Sequence, residues 1–387
     1  MKANVRPVLY SKLPNNGTTI FSVMSKLAAD YNAINLSQGF PNFEASPALI
    51  SLVEYYMRKG FNQYAPMIGV HSLREAIAQK TFELYGVQYH PELEITITSG
   101  ATEALFAAIS AIVRPDDEVI VFEPAYDSYA PAIELNGGIP IYVSLTPPHY
   151  TIDWEDVKGK ISPRTKLIII NTPHNPAGSI LGPNDLNELA NIVKDTHIFL
   201  LGDEVYEHIV FDGEKHHSLI SHTILQERSF VCGSFGKTFH VTGWKVGYCL
   251  APADLTVEFR KIHQFLTFCT ITPVQFAIAD FLKTPDNYLS VSAFYEQKRD
   301  VFLKCIKGSN FSYVPSKGSY FQNLSYSNIT KENDYDLAVK LTKEIGVASI
   351  PVSVFYHRKT DYKTLRFCFA KDDDTLKRAG ERLAKLK

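Results

Sequence analysis

The sequence SFGKTFHVTGWKVGY, residues 234 to 248, contains the lysine with the strongest case for chemistry. Lys237 follows the apolar run SFVCG directly and has small or hydroxylated neighbours. Burial lowers the pKa of an ammonium group because the charged form loses its hydration, so a lysine in such a pocket can be a neutral amine that forms an imine with an aldehyde. A surface lysine in a turn is the alternative, and the surrounding pattern argues against it.

The stretch GSFGKT also invites a nucleotide-binding interpretation, because a P-loop ends in Gly-Lys-Ser/Thr after a strand. That motif needs a glycine five positions before the glycine that precedes the lysine. Val231 occupies this position, so a phosphate-cradling loop of that kind cannot close here.

Short apolar runs between residues 95 and 251 must position this lysine, and helical periodicity separates them. The runs are ITIT at 95 to 98, EVIVF from Glu118, IPIYV from Ile139, KLIIIN from Lys166, HIFLLGDE from His197, SFVCGS from Ser229 and KVGYCLAP from Lys245. Runs that are apolar on both faces predict a mostly parallel sheet buried between helical layers. Polar chemistry should then collect at the ends of the strands.

The texture of the sequence changes after Pro285. The long helical stretch NYLSVSAFYEQKRDVFLKCIK is followed by the short runs FSYV, SYFQNLSY, VASIP and LRFCFA and by a final helix from Asp373. We therefore expect a large domain over 46 to 285 and a smaller α+β domain over 286 to 387. Residues 1 to 45 have too little secondary structure to stand alone and should dock on the smaller domain. The active site is expected in the cleft.

The composition favours an enzyme that acts on small molecules. The chain has 387 residues, and its 39 basic and 41 acidic residues give a net charge of -2, so neither nucleic acid nor an anionic membrane is an expected partner. The five cysteines are far apart and form no CxxC pair, which indicates reduced thiols in a cytoplasmic protein without a metal site. No stretch approaches the roughly 18 continuous apolar residues of a membrane span.

The motif Ser-x-x-Lys at Ser234 and Lys237, with Lys245 eight positions on in a Thr-Gly-Trp-Lys-Val-Gly context, resembles the cofactor-lysine motif of class I/II, fold-type-I aminotransferases. Within them the chain is similar to methionine aminotransferases and the related kynurenine/glutamine transaminases. The motifs follow the family's order from NQYAPMIGV near residue 62 to LRFCFA near residue 370, so the resemblance covers essentially the whole chain. It implies pyridoxal 5′-phosphate bound to Lys237 in a fold-type-I α/β architecture.

The resemblance assigns partners to the pyridine ring. Asp203, in LLGDEVYEH, would keep the ring nitrogen protonated, and the protonated ring is the electron sink of the reaction. Tyr206 and Asn175, the latter in NTPHNPAG, would donate to the phenolic oxygen, with Asn171 as a weaker candidate. The ordinary alternatives are a helix cap for Asp203, a core position for Tyr206 and a plain loop for Asn175.

The resemblance also implies a phosphate site. Its backbone donors would be Ser99, Gly100, Ala101 and Thr102, at the start of the helix that follows ITIT. The alternative is an ordinary strand-to-helix turn with Thr102 or Ser99 as cap. Ser234 and Lys245 complete the site by resemblance. Many relatives carry arginine at the position of Lys245, so a point charge is expected here in place of a bidentate contact.

Two tyrosines are assigned by resemblance alone. Tyr126, in EPAYDSY, matches the position whose ring stacks on the pyridine face. Tyr64 resembles the tyrosine that reaches the cofactor phosphate from the neighbouring subunit, which implies a homodimer with shared active sites.

Arg366 in the apolar run LRFCFA is expected to bind the substrate carboxylate, with the backbone near Gly39 as a second donor and Asn175 nearby. The alternative is that its side chain leaves the strand on the solvent face. Lys237 would be both anchor and general base, and Asp203 and Tyr206 would complete the catalytic set.

The side chain of the substrate is predicted only as a tendency. The aromatic residues Phe40, Phe43, Tyr64 and Phe355 crowd the motif segments, and no further arginine can be placed for a distal carboxylate. This favours an apolar or thioether amino acid, with methionine first and phenylalanine, tyrosine, leucine, glutamine or kynurenine as other donors. A 2-oxo acid would be the acceptor in a ping-pong cycle.

Three other functions fit parts of the sequence. A pyridoxal-phosphate C–S lyase would use nearly the same residues. A non-enzymatic cofactor-binding regulator would need an added DNA-binding module, and the sequence has no basic helix-turn-helix segment. A nicotinamide-dependent dehydrogenase would need G-x-G-x-x-G after its first strand, which SGATEA does not supply.

Overall fold

The computed structural model describes residues 8 to 386. The strands in chain order are β1 (Ile34–Asn35), β2 (Ile95–Thr98), β3 (Glu118–Glu123), β4 (Ile139–Ser144), β5 (Thr165–Asn171), β6 (Phe199–Asp203), β7 (Ser229–Ser234), β8 (Gly247–Leu250), β9 (Phe321–Ser325), β10 (Val347–Ala348), β11 (Ile350–Pro351) and β12 (Thr364–Cys368). The α-helices are α1 (Ile20–Asp30), α2 (Pro47–Arg58), α3 (His71–Tyr85), α4 (Ala101–Ile112), α5 (Tyr129–Leu135), α6 (Trp154–Lys160), α7 (Pro183–Val193), α8 (Thr223–Gln226), α9 (Phe235–Thr238), α10 (Ala253–Leu266), α11 (Thr272–Leu282), α12 (Asp286–Leu289), α13 (Val291–Ile306), α14 (Asp334–Lys340) and α15 (Asp373–Leu383).

A seven-stranded sheet forms the centre of the fold, in the order β2-β8-β7-β6-β5-β3-β4. The pairs β3/β4, β3/β5, β5/β6 and β6/β7 are parallel, whereas β8 runs antiparallel to β7 and to β2. Strands β3 and β5 are apolar on both faces, and the side chains from Val119 to Phe122 and from Leu167 to Ile170 are at most 5% exposed. The predicted mostly parallel sheet between helical layers is therefore confirmed.

One edge of this sheet collects the carboxyl ends of the strands that carry the motifs. Asn171 at the end of β5 is in register with Asp203 at the end of β6, which is in register with Cys232 of β7. Because two successive antiparallel pairings separate β2 from β7, β2 ends at this edge too. Helix α4 starts here and packs its alanine-rich surface against β6, β7 and β8.

The C-terminal part contains a three-stranded antiparallel sheet in the order β11-β12-β9, with α13 and α15 packed together beside it. Strand β1 pairs in parallel with β10, and Met24 of α1 belongs to the same hydrophobic cluster as Phe302 and Phe367. Helix α1 and strand β1 thus contact the C-terminal part of the chain. The proposed domain boundaries at 45 and 285 stay predictions.

Several local expectations differ from the structure. The long helical stretch after Pro285 divides into α12 and α13. The run FSYV forms a single bridge between Ser312 and Ser325 and no strand, since the proline that follows Val314 cannot continue a ladder. The run VASIP divides into β10 and β11, which pair with different sheets. Within residues 8 to 386, no helix has the length and apolar character needed to cross a membrane.

Candidate active site

A cleft of about 710 Å³, which includes space open to solvent, lies at the carboxyl ends of the motif strands. Most of the predicted cofactor-binding residues line it, namely Gly100, Ala101, Thr102, Tyr126, Asn175, Asp203, Tyr206, Ser234, Lys237 and Lys245. Five further lining residues lie within or next to the motif stretches but are not among the predicted site residues: Leu105, Val205, Gly236, Thr242 and Val246. The structure thus brings together residues from five separate motifs.

Lys237 lies on the one-turn helix α9 directly after β7, and its side chain reaches the cleft. Its Nζ donates to the hydroxyl of Tyr320 over 2.8 Å and makes a longer contact of 3.4 Å with the carbonyl of Gly39. Burial is the main reason that the pKa of Lys237 falls to about 8, and the cationic side chains of Lys245 and Arg366 lower it further. With this pKa, Lys237 carries a neutral amine in about one tenth of the molecules at pH 7.

Asp203 is 4% exposed at the end of β6 and lines the cleft with one unsatisfied oxygen. Its Oδ2 accepts a hydrogen bond of 2.5 Å from the hydroxyl of Tyr129, while its Oδ1 is buried without a partner. Burial raises the pKa of Asp203 to about 6, and the hydrogen bond from Tyr129 acts in the opposite direction. A buried carboxylate oxygen without a donor favours a ligand that supplies an N–H at this point.

The loop after β5 holds Asn175 beside Asp203. The side-chain amide of Asn171 donates to the carbonyl of Asp203 over 2.8 Å, and its Oδ1 accepts from the backbone N–H of Asn175 over 2.7 Å. Asn171 thus connects the loop to strand β6 and does not line the cleft, whereas Asn175 does. Tyr206 is 3% exposed, and burial raises its pKa, so its phenol stays protonated.

The start of α4 forms an anion-binding geometry. Gly100 has a φ of 74°, a conformation that L side chains rarely adopt, and a Cβ built on it would lie 3.2 Å from the Nζ of Lys245. The first turn of the twelve-residue helix and this ammonium group therefore face the same space. Ser99 lies outside the cleft lining, and its backbone N–H already donates to Glu103 over 3.1 Å. Its predicted role in cofactor binding stays a prediction.

Arg366 is 1% exposed and has only neutral hydrogen-bond partners in the described part of the chain. Its two terminal nitrogens donate to Asn175 Oδ1 and to the carbonyl of Ser37, each over 2.9 Å, and its Nε is buried without a partner. Burial lowers the pKa of Arg366 to about 10. The side chain does not leave the strand on a solvent face, and its positive charge is available to a bound anion.

The predicted aromatic residues fall into different places. Tyr126 lines the cleft just before α5, and its ring centroid is 5.7 Å from that of Tyr129. Phe355 lies near Arg366, with 5.4 Å between the guanidinium carbon and the ring centroid. Tyr64 is 83% exposed, packs edge-on against Phe268 and lies away from the cleft of its own chain.

Two of the four aromatic residues expected near the substrate also lie elsewhere. Phe40 is exposed and its ring lies 5.0 Å from the ammonium group of Lys371, and Phe43 packs against His240 and Phe294. The aromatic side chains that do surround Arg366 with Phe355 are Phe21 and Phe321. Neither Phe21 nor Phe321 belongs to a motif, so sequence spacing gives no signal for them.

A mostly parallel sheet with an amine, a buried carboxylate and an anion site at one strand edge is the architecture of fold-type-I aminotransferases. The family model for aminotransferase class I and II matches residues 31 to 383, and the chain belongs to this family. The chain is therefore an aminotransferase.

The chain is similar over nearly its whole length to individual aminotransferases. The chain is 50% identical to the methionine aminotransferase of Escherichia coli, over 97% of this chain and 98% of that protein. The solved structure of the Escherichia coli protein YbdL, identified as having a methionine aminotransferase function, matches with a TM-score of 0.97 at 49% identity, covering 98% of this chain and 100% of that one. Kynurenine–oxoglutarate transaminase of Dictyostelium discoideum is 36% identical, over 96% of this chain and 94% of that protein.

Proposed function

We propose that the protein is a pyridoxal 5′-phosphate-dependent aminotransferase with methionine as its preferred amino donor and a 2-oxo acid as acceptor. The observation that carries the proposal is the arrangement of one cleft, in which the amine of Lys237, with its lowered pKa, shares the space with the unpartnered Oδ1 of Asp203. When bound, pyridoxal 5′-phosphate supplies an aldehyde that condenses with amines and a protonated ring that withdraws electrons from the substrate Cα.

The residues present fit this cofactor. Asp203 Oδ1 lacks a donor, which a protonated ring nitrogen would provide. The first turn of α4 and the ammonium group of Lys245 would hold the phosphate. Because Asn175 Oδ1 already accepts from Arg366, the amide nitrogen of Asn175 is left to donate to the phenolic oxygen, as Tyr206 would.

Lys237 is proposed as the covalent anchor and the general base. A base works best when its pKa lies near the working pH, and the value of about 8 meets this condition. In its free form the amine of Lys237 would accept the proton from the substrate Cα on Nζ and return the same proton to the bound cofactor and substrate, so that Lys237 ends the transfer unchanged.

Arg366 is proposed to bind the substrate α-carboxylate. Its hydrogen-bond partners are neutral and Asp127 acts on its charge only without a direct contact, so an incoming carboxylate would supply the ion-pair partner that Arg366 lacks within residues 8 to 386. The bond from Arg366 to Asn175 would link carboxylate binding to the group that contacts the cofactor.

An apolar donor is favoured by the surroundings of Arg366. The rings of Phe21, Phe321 and Phe355 lie with their centroids 4.0 to 5.4 Å from the guanidinium carbon. Such a surface suits a thioether or hydrocarbon side chain better than a second carboxylate. The similarity to the Escherichia coli methionine aminotransferase points in the same direction.

We infer a cytoplasmic homodimer with shared active sites. Tyr64 is exposed beside Phe268 and near Ile271, and these apolar side chains form a surface that a second copy could cover. Tyr64 would then reach the cofactor phosphate of the partner.

The direct test is spectroscopic. The purified, cofactor-loaded protein should be yellow, lose its visible absorbance when methionine is added and regain it when a 2-oxo acid is added. A panel of single amino acids should place methionine first by kcat/KM. A strong preference for aspartate would overturn the choice of donor, and release of pyruvate and ammonia from cystathionine without a 2-oxo acid would favour a C–S lyase.

A further inference from the structure

Tyr320 contacts the reactive nitrogen of Lys237, although no sequence motif points to it. It lies immediately before β9, is fully buried, and places its hydroxyl 2.8 Å from Lys237 Nζ and 2.5 Å from the carbonyl oxygen of Gly39. Its own carbonyl accepts from the backbone N–H of Phe369 over 3.0 Å, so the position of the ring is fixed by the C-terminal sheet region.

The hydrogens of this contact can be assigned. A phenol has one proton, and a carbonyl oxygen has none, so Tyr320 must donate to Gly39. The oxygen of Tyr320 is then restricted to accepting from Lys237. Burial raises the pKa of Tyr320 well above its usual range, which keeps the phenol protonated in this role.

The number of hydrogen-bond donors on Lys237 Nζ indicates the direction of its lone pair. A neutral primary amine has two N–H donors and one lone pair. Tyr320 and Gly39 both accept from Lys237 Nζ, and both lie on the side of the N-terminal segment and β9. With its two N–H groups held there, the nitrogen has its lone pair left for the cleft that Lys237 lines.

We propose that Tyr320 is a positioning residue for transamination, which holds the free amine of Lys237 so that its lone pair faces the substrate Cα–H. This inference rests on the proposed function. It adds a group that orients the base and that neither the motifs nor the cleft lining contains.

The matched control is Tyr295, which is equally buried and belongs to the same aromatic cluster, with 5.7 Å between the ring centroids of Tyr295 and Tyr320. Its hydroxyl bonds to His240 over 2.8 Å and not to Lys237. Tyr295→Phe and Tyr320→Phe therefore each remove one buried hydroxyl and keep the ring, but only the second change affects the lysine.

We expect Tyr320→Phe to lower kcat about five- to tenfold, the range that corresponds to losing one neutral hydrogen bond, with KM for methionine within about twofold of wild type because Arg366 is unchanged. The primary kinetic isotope effect with Cα-deuterated methionine should rise, because proton removal becomes slower relative to the other steps. The cofactor-free protein should also capture pyridoxal about five- to tenfold more slowly, since that attack uses the same lone pair. Tyr295→Phe should stay within about twofold of wild type in all three measurements.

The inference is overturned if Tyr320→Phe behaves like Tyr295→Phe in turnover, isotope effect and pyridoxal capture. Thermal unfolding of both variants separates a folding defect from a positioning defect, because loss of one buried hydroxyl should lower the two midpoints to a similar extent. Failure of the proposed function gives a different result, in which the wild-type protein itself neither captures pyridoxal nor transaminates methionine.

Discussion

The pKa of Lys237 leads to a quantitative prediction for the cofactor-free protein. With a pKa of about 8, about a quarter of the Lys237 side chains are neutral at pH 7.5, whereas an ordinary lysine with a pKa of 10.5 is neutral in roughly one molecule in a thousand. Only the neutral amine attacks an aldehyde. Lys237 should therefore have a roughly two hundredfold advantage over exposed lysines from ionisation alone.

The assay follows covalent capture of pyridoxal by absorbance between pH 6 and pH 10.5. Pyridoxal lacks the phosphate, so changes in the phosphate site do not enter the measurement. Nα-acetyl-lysine amide in the same buffers corrects for the ionisation of pyridoxal itself. The corrected rate should rise to a plateau with its midpoint near pH 8.

A substitution tests the cause of the shift. Lys245→Gln removes a cation that lowers the pKa of Lys237, so the midpoint should move upward. Because burial is the larger cause, the midpoint should remain below that of the model amine. A rate that keeps rising beyond pH 10 in the wild-type protein would contradict the lowered pKa, since Lys237 would then titrate like an exposed lysine.

Three further predictions concern stability and binding. At pH 7, Lys237→Met should raise the free energy of unfolding of the cofactor-free protein in urea by about 2 kcal/mol. The reason is that a lysine whose pKa is lower in the folded than in the unfolded protein costs stability below pH 8, so the gain should shrink as the pH rises through 8 towards 10.5. An equal gain at pH 7 and pH 10.5 would contradict this. Arg366→Lys should lower kcat/KM for methionine by about 10- to 100-fold, because the substrate carboxylate loses its contact with two guanidinium nitrogens. The control substrate 3-(methylthio)propylamine has no carboxylate and should react equally with the cofactor-loaded variant and wild type. An equal loss for methionine and for this amine would show that the defect does not concern the carboxylate. Gly100→Ala should weaken equilibrium binding of pyridoxal phosphate much more than that of pyridoxal. The added Cβ is unfavourable at a φ of 74° and would contact the side chain of Lys245 beside the phosphate site. An equal loss for both ligands would exclude a phosphate-specific effect.

The large sheet could be predicted from the sequence because most of its strands are buried on both faces, with the edge strand β4 as the exception. Strand β2 covers the predicted run ITIT, and β7 covers SFVCGS. Runs of this kind have few other ways to bury themselves, so their pattern indicates the strands and a mostly parallel sheet, but it does not show that β8 runs antiparallel to both of its neighbours. The short strands of the C-terminal part were less predictable, since VASIP serves two different sheets and its residues alone do not show where one ends.

The cleft residues that belong to motifs could also be placed, because polar side chains at the ends of neighbouring parallel strands share one edge. The side chains that form hydrogen bonds with these residues could not be predicted. Tyr129 lies 74 positions before Asp203, and Tyr320 lies 83 positions after Lys237. In EPAYDSY the sequence favours Tyr126 and gives no reason to choose Tyr129, whose hydroxyl contacts Asp203. Such pairs depend on how distant elements pack, which local spacing does not encode.

The proposed function depends on Lys237 as the residue that carries the cofactor. The most direct measurement is borohydride reduction of the protein loaded with pyridoxal phosphate, followed by peptide mass spectrometry. We expect one phosphopyridoxyl group per chain, located on Lys237, and no modification of Lys80 or Lys245 at stoichiometric cofactor. An unmodified Lys237, or modification spread over the surface lysines, would contradict it.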